Sequence, residues 1–491
     1  MWPWIMMALL VAWAGMGAWQ RYKPLPEGLG RTFPERPAVD VSFLADETWY
    51  TPSGERRARR QIFDEVMAMI GQAKRLVVLD IFLFNDFAGG ADGQDFRPLS
   101  AEITDALVDQ KKRYPVLNAV VITDPLNTLY GGHELAHLAR LREAGVTVVV
   151  TDITRLRASN PLWSGAWHLG PRWLGNHSDG GWLPNALGPG KVTLRSYMAL
   201  LNFNANHRKT LIVDRGDGWA GLITSANPHD ASSLHGNVAL RFEGAAALDL
   251  LASERPVAGW SGVSLPGPRS STGPEPTVEE GSVEGASVER GSVEESRVQV
   301  LTEGAIREAL LAAIQASGSG DRLDVAVFYL SHREVIEALV AAQRRGVALR
   351  VLLDPNRDAF GLQKGGIPNR PVAHELHAAG VPMRWCATQG EQCHSKLLLR
   401  RPAAAGGEGE MILGSANFTR RNLDDLNLET SVRLVGPADT PALQDASAFF
   451  ERRWQSTPQR VTSEPFAAHD DASTWQRLRY RIMEATGLST F

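Results

Sequence analysis

Residues 207–227 read HRKTLIVDRGDGWAGLITSAN, and residues 394–417 read HSKLLLRRPAAAGGEGEMILGSAN. Each stretch sets a histidine two residues before a lysine, continues in a short apolar run and closes on Ser-Ala-Asn. Residues i and i+2 of an extended strand point to one face, so His207 projects with Lys209, and His394 with Lys396. The runs Thr210 to Val213 and Leu397 to Leu399 suit buried strands. Each copy offers an imidazole, a cation and a hydroxyl-amide pair, half of what cleavage of a phosphodiester requires. The pattern predicts both histidines at strand ends facing one cleft.

The correspondence reaches well upstream. Asp124-Pro125 answers Asp354-Pro355, His133-Glu134-Leu135 answers His374-Glu375-Leu376, and Ala144-Gly145-Val146 answers Ala379-Gly380-Val381. Helix-period stretches at 63–73 and 306–316 lead into apolar strands at 76–83 and 323–330. The sequence reads as one α/β unit used twice.

These motifs resemble the phospholipase D superfamily, whose signature is H-x-K-x4-D followed by a G-S/T-x-N segment, and the resemblance covers most of residues 60–450. The first copy fits in full, with Asp214 in place; the second carries Arg401 where the aspartate is expected. Arg420, Asn427 and Glu429 match the family's R-x6-N-x-E tail, whereas the first copy has Asn237 and then Ala239 at the glutamate position. The resemblance implies an α/β fold of two tandem phospholipase D-type sandwich domains, related by a pseudo-twofold axis around one composite active site. It also favours His207 as nucleophile and His394 as general acid.

The chemistry of such a site gives the remaining residues their expected parts. Splitting a slow phosphodiester hydrolysis into two displacements through a phosphohistidine lowers each barrier. Lys209 and Lys396 would hold the non-bridging oxygens, Ser225, Asn227, Ser415 and Asn417 would add neutral donors, and Glu429 would orient His394. Asp214 is expected to serve the first half structurally. No Cys/His cluster has zinc-site spacing, and there is neither a phosphate loop nor a dinucleotide fingerprint, so a route with no cofactor and no metal is expected. His133, His137, His374 and His377 read as helix or loop histidines.

Composition divides the chain into segments. Residues 1–22 form a hydrophobic anchor or signal segment, with an uncharged run from Trp4 to Trp19 followed by Arg21 and Lys23. A retained anchor is favoured, because the basic start of a signal peptide is missing. Residues 40–265 form the first domain and 298–460 the second. Between them 266–297 is an acidic Gly/Ser/Glu linker, expected to be disordered, and 461–491 is a helical tail. From Gly145 to His207 is 62 positions and from Gly380 to His394 only 14, so the first copy carries an insertion at 155–200. It holds Trp163, Trp167, Trp173 and Trp182. It reads either as a loop packing its own aromatics or, the favoured reading, as a lid meeting lipid.

The net charge of −4 disfavours nucleic acid as a partner. Arg21 and Lys23 would put the body in the cytoplasm by the positive-inside rule, whereas a cleaved signal would export it. Cys386 and Cys393, the only cysteines, are equally consistent with thiols or a disulfide. Together these features predict a bacterial-type membrane enzyme, a phospholipase D-like phosphodiesterase or phosphatidyltransferase acting on phospholipid. A cardiolipin synthase, a superfamily nuclease and a non-catalytic membrane scaffold are the alternatives, and oligomeric state is left open.

Overall fold

A computed structural model describes residues 1–87, 96–185, 188, 190–265, 296–359, 362–363, 365–489 and 491. The acidic linker expected at 266–297 falls outside them except at its last two residues, and Arg297 already opens a strand.

The first sheet contains β1 (Val39–Tyr50), β2 (Arg56–Arg59), β3 (Leu76–Ile81), β4 (Asn118–Thr123), β5 (Thr147–Val150), β6 (Lys209–Arg215), β7 (Gly218–Thr224) and β8 (Asn237–Glu243). Its order is β2-β1-β8-β7-β6-β3-β4-β5. The second sheet is built from β9 (Arg297–Thr302), β10 (Arg322–Val327), β11 (Ala348–Leu353), β12 (Met383–Cys386), β13 (Lys396–Arg401), β14 (Glu408–Gly414) and β15 (Thr430–Pro437). Those seven run β9-β15-β14-β13-β10-β11-β12, the order of the first sheet without its short edge strand β2. In both sheets β3-β4-β5 and β10-β11-β12 pair in parallel, and the remaining neighbours pair antiparallel.

All six positions of β3 and six of the seven of β6 are buried, as expected of central strands covered on both faces. One apolar cluster draws Val78, Ile212 and Leu240 from the first sheet together with Leu397, Met411 and Val432 from the second. The sheets therefore share a core, and the outer face of each has a cluster of its own. The helices predicted at 63–73 and 306–316 appear as Ile62–Gln72 and Gly304–Ala316, and the strands predicted at 76–83 and 323–330 are two to three residues shorter at their ends.

Two segments cross between the halves. Before entering β1, Arg36–Pro37 pairs with β9, and Phe33 donates its N–H to Val300 at 3.0 Å. The tail at 461–491 is not purely helical: Ser463–Pro465 adds a strand beside β12, and the helix Thr474–Thr486 buries Tyr480 in the core of the second half.

Trp2–Tyr22 is a single helix, α1, long and apolar enough to cross a membrane, and most of its surface is exposed, Trp4 by 79%. Its C-terminal part lies across α5 (Pro161–Leu169), the first helix of the insertion. The crossing is close because both contact positions are glycine. A Cβ on Gly17 would stand 2.8 Å from the Pro161 carbonyl oxygen, and one on Gly165 would stand 2.7 Å from that of Trp13. Trp13 Nε1 also donates to the Leu162 carbonyl at 2.8 Å.

The insertion thus carries regular structure, including α6 (Leu194–Leu200). Its tryptophans divide between the two readings. Trp167 is buried and Trp163 Nε1 donates to the Met198 carbonyl at 2.8 Å, whereas Trp173 and Trp182 are 74% and 63% exposed.

Candidate active site

Each histidine enters the site from a loop that the opposite half holds. His207 donates its backbone N–H to the Leu428 carbonyl at 2.9 Å, and His394 donates to the Gly236 carbonyl at 2.7 Å. The residue before each is fixed by the aspartate of an Asp-Pro pair. Asp124 accepts from Asn206 N–H at 2.7 Å and Asp354 from Cys393 N–H at 2.8 Å. The lysines open β6 and β13, and each ammonium folds back to the carbonyl of its own histidine, Lys209 to His207 and Lys396 to His394, at 2.7 Å. Phe82 and Phe328 wall the two sides, with ring centroids 4.7 Å from His207 and 5.0 Å from His394.

Glu429 stands on His207, which corrects the expectation that it orients His394. His207 Nδ1 lies 2.9 Å from Glu429 Oε1 and 3.1 Å from Oε2. Ser415 Oγ and Asn422 Nδ2 donate to the same carboxylate, which is fully buried. A carboxylate acceptor puts the imidazole proton on Nδ1 and leaves the Nε2 lone pair facing the cleft.

His394 has an amide where His207 has a carboxylate. Its Nδ1 lies 3.0 Å from Asn237 Oδ1, and that oxygen also accepts from Ser225 Oγ at 2.9 Å. Ser225 and Asn237 therefore stand as Ser415 and Glu429 do, so the position equivalent to Glu429 is Asn237 and not Ala239. Ser225 precedes its partner by twelve residues and Ser415 by fourteen, and that two-residue difference displaced the sequence comparison. Ala239 is a buried strand residue facing the core of the first half.

Burial sets the charge states. Desolvation lowers the His207 pKa to about 4, although Glu429 pulls the other way. His394 is pushed well below its ordinary value by burial, then by the charges of Lys396, His235, Lys209 and His207. Lys209 falls to about 7 and Lys396 well below the usual lysine range, again by burial, with Glu429 opposing in both cases. Burial alone would raise Glu429, but His207, Lys209 and the Ser415 hydroxyl together hold it below the ordinary value. Glu429 favours the charged forms of His207, Lys209 and Lys396, whereas His394 meets only other bases, so an arriving phosphate would favour charge on all four.

The other expected residues have clear places. Asn227 Oδ1 accepts from Leu83 N–H at 3.1 Å, while Asn417 Oδ1 is a buried acceptor with no partner among the described residues. Asp214 faces away from the cleft and accepts the backbone N–H groups of Lys74, Arg75 and Leu76 at 2.8 to 3.1 Å, joining β6 to the start of β3. Its counterpart Arg401 pairs with the buried carboxylate of Asp324 at 2.8 Å, which Arg350 also holds at 2.7 Å. Arg401→Asp would bring a second carboxylate to Asp324, so it is not the neutral change that restoring the motif suggests. A loss of about 1–3 kcal/mol is expected, and a urea titration checks it; an unchanged midpoint would contradict the pairing. Arg420 binds the Glu484 and Ala485 carbonyls of the C-terminal helix, away from the histidines.

Sequence reasoning missed two residues here. His235 is buried with its ring 5.9 Å from that of His394, and no motif marks it. Arg208, the middle residue of the first motif, reaches Glu254 at 3.2 Å and Glu303 at 2.6 Å, and Glu303 in turn accepts the Glu429 N–H at 3.2 Å. Of the two readings left open for Cys386 and Cys393, the structure has the disulfide, with Cα atoms 6.2 Å apart, closing the loop that leads to His394.

Residues 310–454 match the family model described as cardiolipin synthase, PLD-like domain. That stretch of the second half therefore carries a phospholipase D-like domain. The fold of the chain is similar to that of phosphatidylserine synthase from Haemophilus influenzae Rd KW20, at a TM-score of 0.54 and 10% identity over 93% of this chain and 96% of that one. Nuc from Salmonella typhimurium, a phospholipase D family member, is 21% identical with a TM-score of 0.27 and covers 34% of this chain and 98% of its own. Polyphosphate kinase from Porphyromonas gingivalis is 14% identical with a TM-score of 0.45, over 91% of this chain and 53% of that one. No curated protein sequence matches the chain. With two mixed sheets of like order, the chain has the tandem α/β architecture that its paired motifs imply.

Proposed function

We propose that the chain is a membrane-bound phosphatidyltransferase or phosphodiesterase that acts on phospholipid through a phosphohistidine. The observation that carries this reading is the pairing of His207 Nδ1 with the buried Glu429 carboxylate, opposite a second histidine held by a neutral amide. In this mechanism His207 Nε2 attacks phosphorus. His394, charged once phosphate is bound, gives its proton to the leaving alcohol, and Lys209 and Lys396 hold the non-bridging oxygens. Neutral His394 then takes the proton of water or of an acceptor alcohol, which displaces His207.

The apolar helix α1 fits an anchor that keeps the site at a bilayer. The description of the family model over 310–454 favours cardiolipin formation as a second reading, with phosphatidylglycerol as acceptor. A net charge of −4 argues against a nuclease.

Mass spectrometry of lipids from phosphatidylglycerol/phosphatidylethanolamine vesicles, incubated with the full chain with and without a primary alcohol, tests the proposal. Phosphatidic acid is expected in water and the phosphatidyl alcohol when alcohol is added, with cardiolipin appearing if phosphatidylglycerol is the acceptor. Unchanged lipids under all conditions would remove the enzyme reading and leave the scaffold.

A further inference from the structure

A cavity of about 580 Å³ lies between the carboxyl ends of β4 and β5 and the 155–200 insertion. Leu138, Val150 and Ile153 line it from the first domain, Trp167 and Ala199 from α5 and α6, and Gln20 from the end of α1. Its volume is within the range of about 300–1,000 Å³ typical of ligand sites with mostly apolar walls. Several of its polar groups satisfy one another. Ser164 Oγ donates to Asn202 Oδ1 at 2.8 Å, and Asp152 accepts from Thr154 Oγ1 at 2.6 Å. Arg142 stands exposed on its border.

Three observations identify an occupant. The second half, with 14 residues where the first has 62, has no insertion to roof such a cavity. The roof helix α5 is the one α1 crosses at Gly17 and Gly165, so the cavity sits where the apolar helix meets the body. Exposed Leu162, Leu169 and Trp173 continue the apolar surface beside that crossing. The cavity also reaches Asn204, three residues before His207, whose Nδ2 donates to the Leu426 carbonyl of the second half at 3.2 Å.

We propose that this cavity takes one hydrocarbon chain of a phospholipid entering from the bilayer along α1. The inference rests on the reading of the chain as an enzyme of membrane phospholipid, and it adds where the apolar part of the substrate is held. A chain bound there leaves its phosphate on the side of the loop that carries His207.

The test uses the full chain as His207→Ala, so that lipid is not consumed, in phosphatidylglycerol vesicles doped with a phospholipid carrying a diazirine at its acyl terminus. After irradiation, cross-links mapped by peptide mass spectrometry are expected within 150–168 and 194–204 as well as along α1. Ala199→Trp and Ala158→Phe fill the cavity from different walls, and either should cut the cavity cross-links at least fivefold while those on α1 persist. Using both protects the test against one of them failing to fold, which a melting curve reports. Cross-links confined to α1, or undiminished in folded filled variants, overturn the proposal. Lipid turnover by the unsubstituted chain is measured in parallel. Labelling of the cavity without turnover supports the pocket and removes the enzyme reading, and turnover without labelling does the reverse.

Discussion

His207→Ala and His394→Ala should each lower turnover of a phosphatidyl substrate by about a thousandfold or more, because removing either member of a unit that acts together costs nearly the whole of its contribution. The two variants should nevertheless fail differently. With a p-nitrophenyl phosphodiester, whose leaving group needs no proton, the His394→Ala chain should still transfer phosphorus to His207 and then stall. It would lack the base that activates the second nucleophile. The His207→Ala chain should show no burst. Rapid-quench measurement of p-nitrophenol, with intact-mass detection of the phosphohistidine, distinguishes the cases. A burst from His207→Ala and none from His394→Ala would exchange the two roles, and near-normal turnover by either would end the two-histidine mechanism.

Glu429→Gln is expected to lower kcat by a hundredfold or more. The side chain keeps its shape but loses the charge that favours the Nδ1–H tautomer and the positive imidazole of the attack, as with other histidine-orienting carboxylates. The effect should fall on formation of the phosphohistidine, not on its breakdown, since Glu429 stands on His207. Asn237→Asp makes the reverse change on the other histidine. A carboxylate beside Nδ1 stabilises imidazolium, so the His394 pKa, now well below its ordinary value, should rise. Where breakdown requires neutral His394, activity is present above that pKa and lost below it, and the acid limb of the pH–kcat profile should therefore move to higher pH. Profiles from pH 4 to 9 for both variants check this. An unaltered profile in Asn237→Asp, together with normal kcat in Glu429→Gln, would mean that the different partners of the two histidines have no bearing on rate.

What could be read from the sequence was what depends on local spacing. The two-residue step from histidine to lysine is a property of extended chain, and it put His207 with Lys209 and His394 with Lys396 without knowledge of anything else. The Asp-Pro pairs and apolar runs likewise located the central strands of both sheets. The partners of the histidines were not legible, because docking of one half on the other decides them. Glu429 is close in sequence to the second motif, yet it crosses to the first. Asn237 was seen but set against the wrong residue by a two-residue difference in loop length. His235 and Arg208 carry no recognisable pattern, and Arg401 shows in the sequence only as a departure from the motif, its ion pair with Asp324 at the far end of the strand being a matter of sheet register.

The backbone bonds from Leu428 to His207 and from Gly236 to His394 also bear on the order of events during folding. They join residues about 220 and 160 positions apart, with the linker in between. Contacts of such sequence separation form late, after the loop-closure entropy of each half has been met. A nascent chain can complete the first sheet and still present His207 without its carboxylate and without its backbone partner. Such an intermediate would have no reactive nucleophile, so chemistry at phosphorus begins only when the whole chain has closed, and the appearance of activity becomes a kinetic reporter of the last folding step.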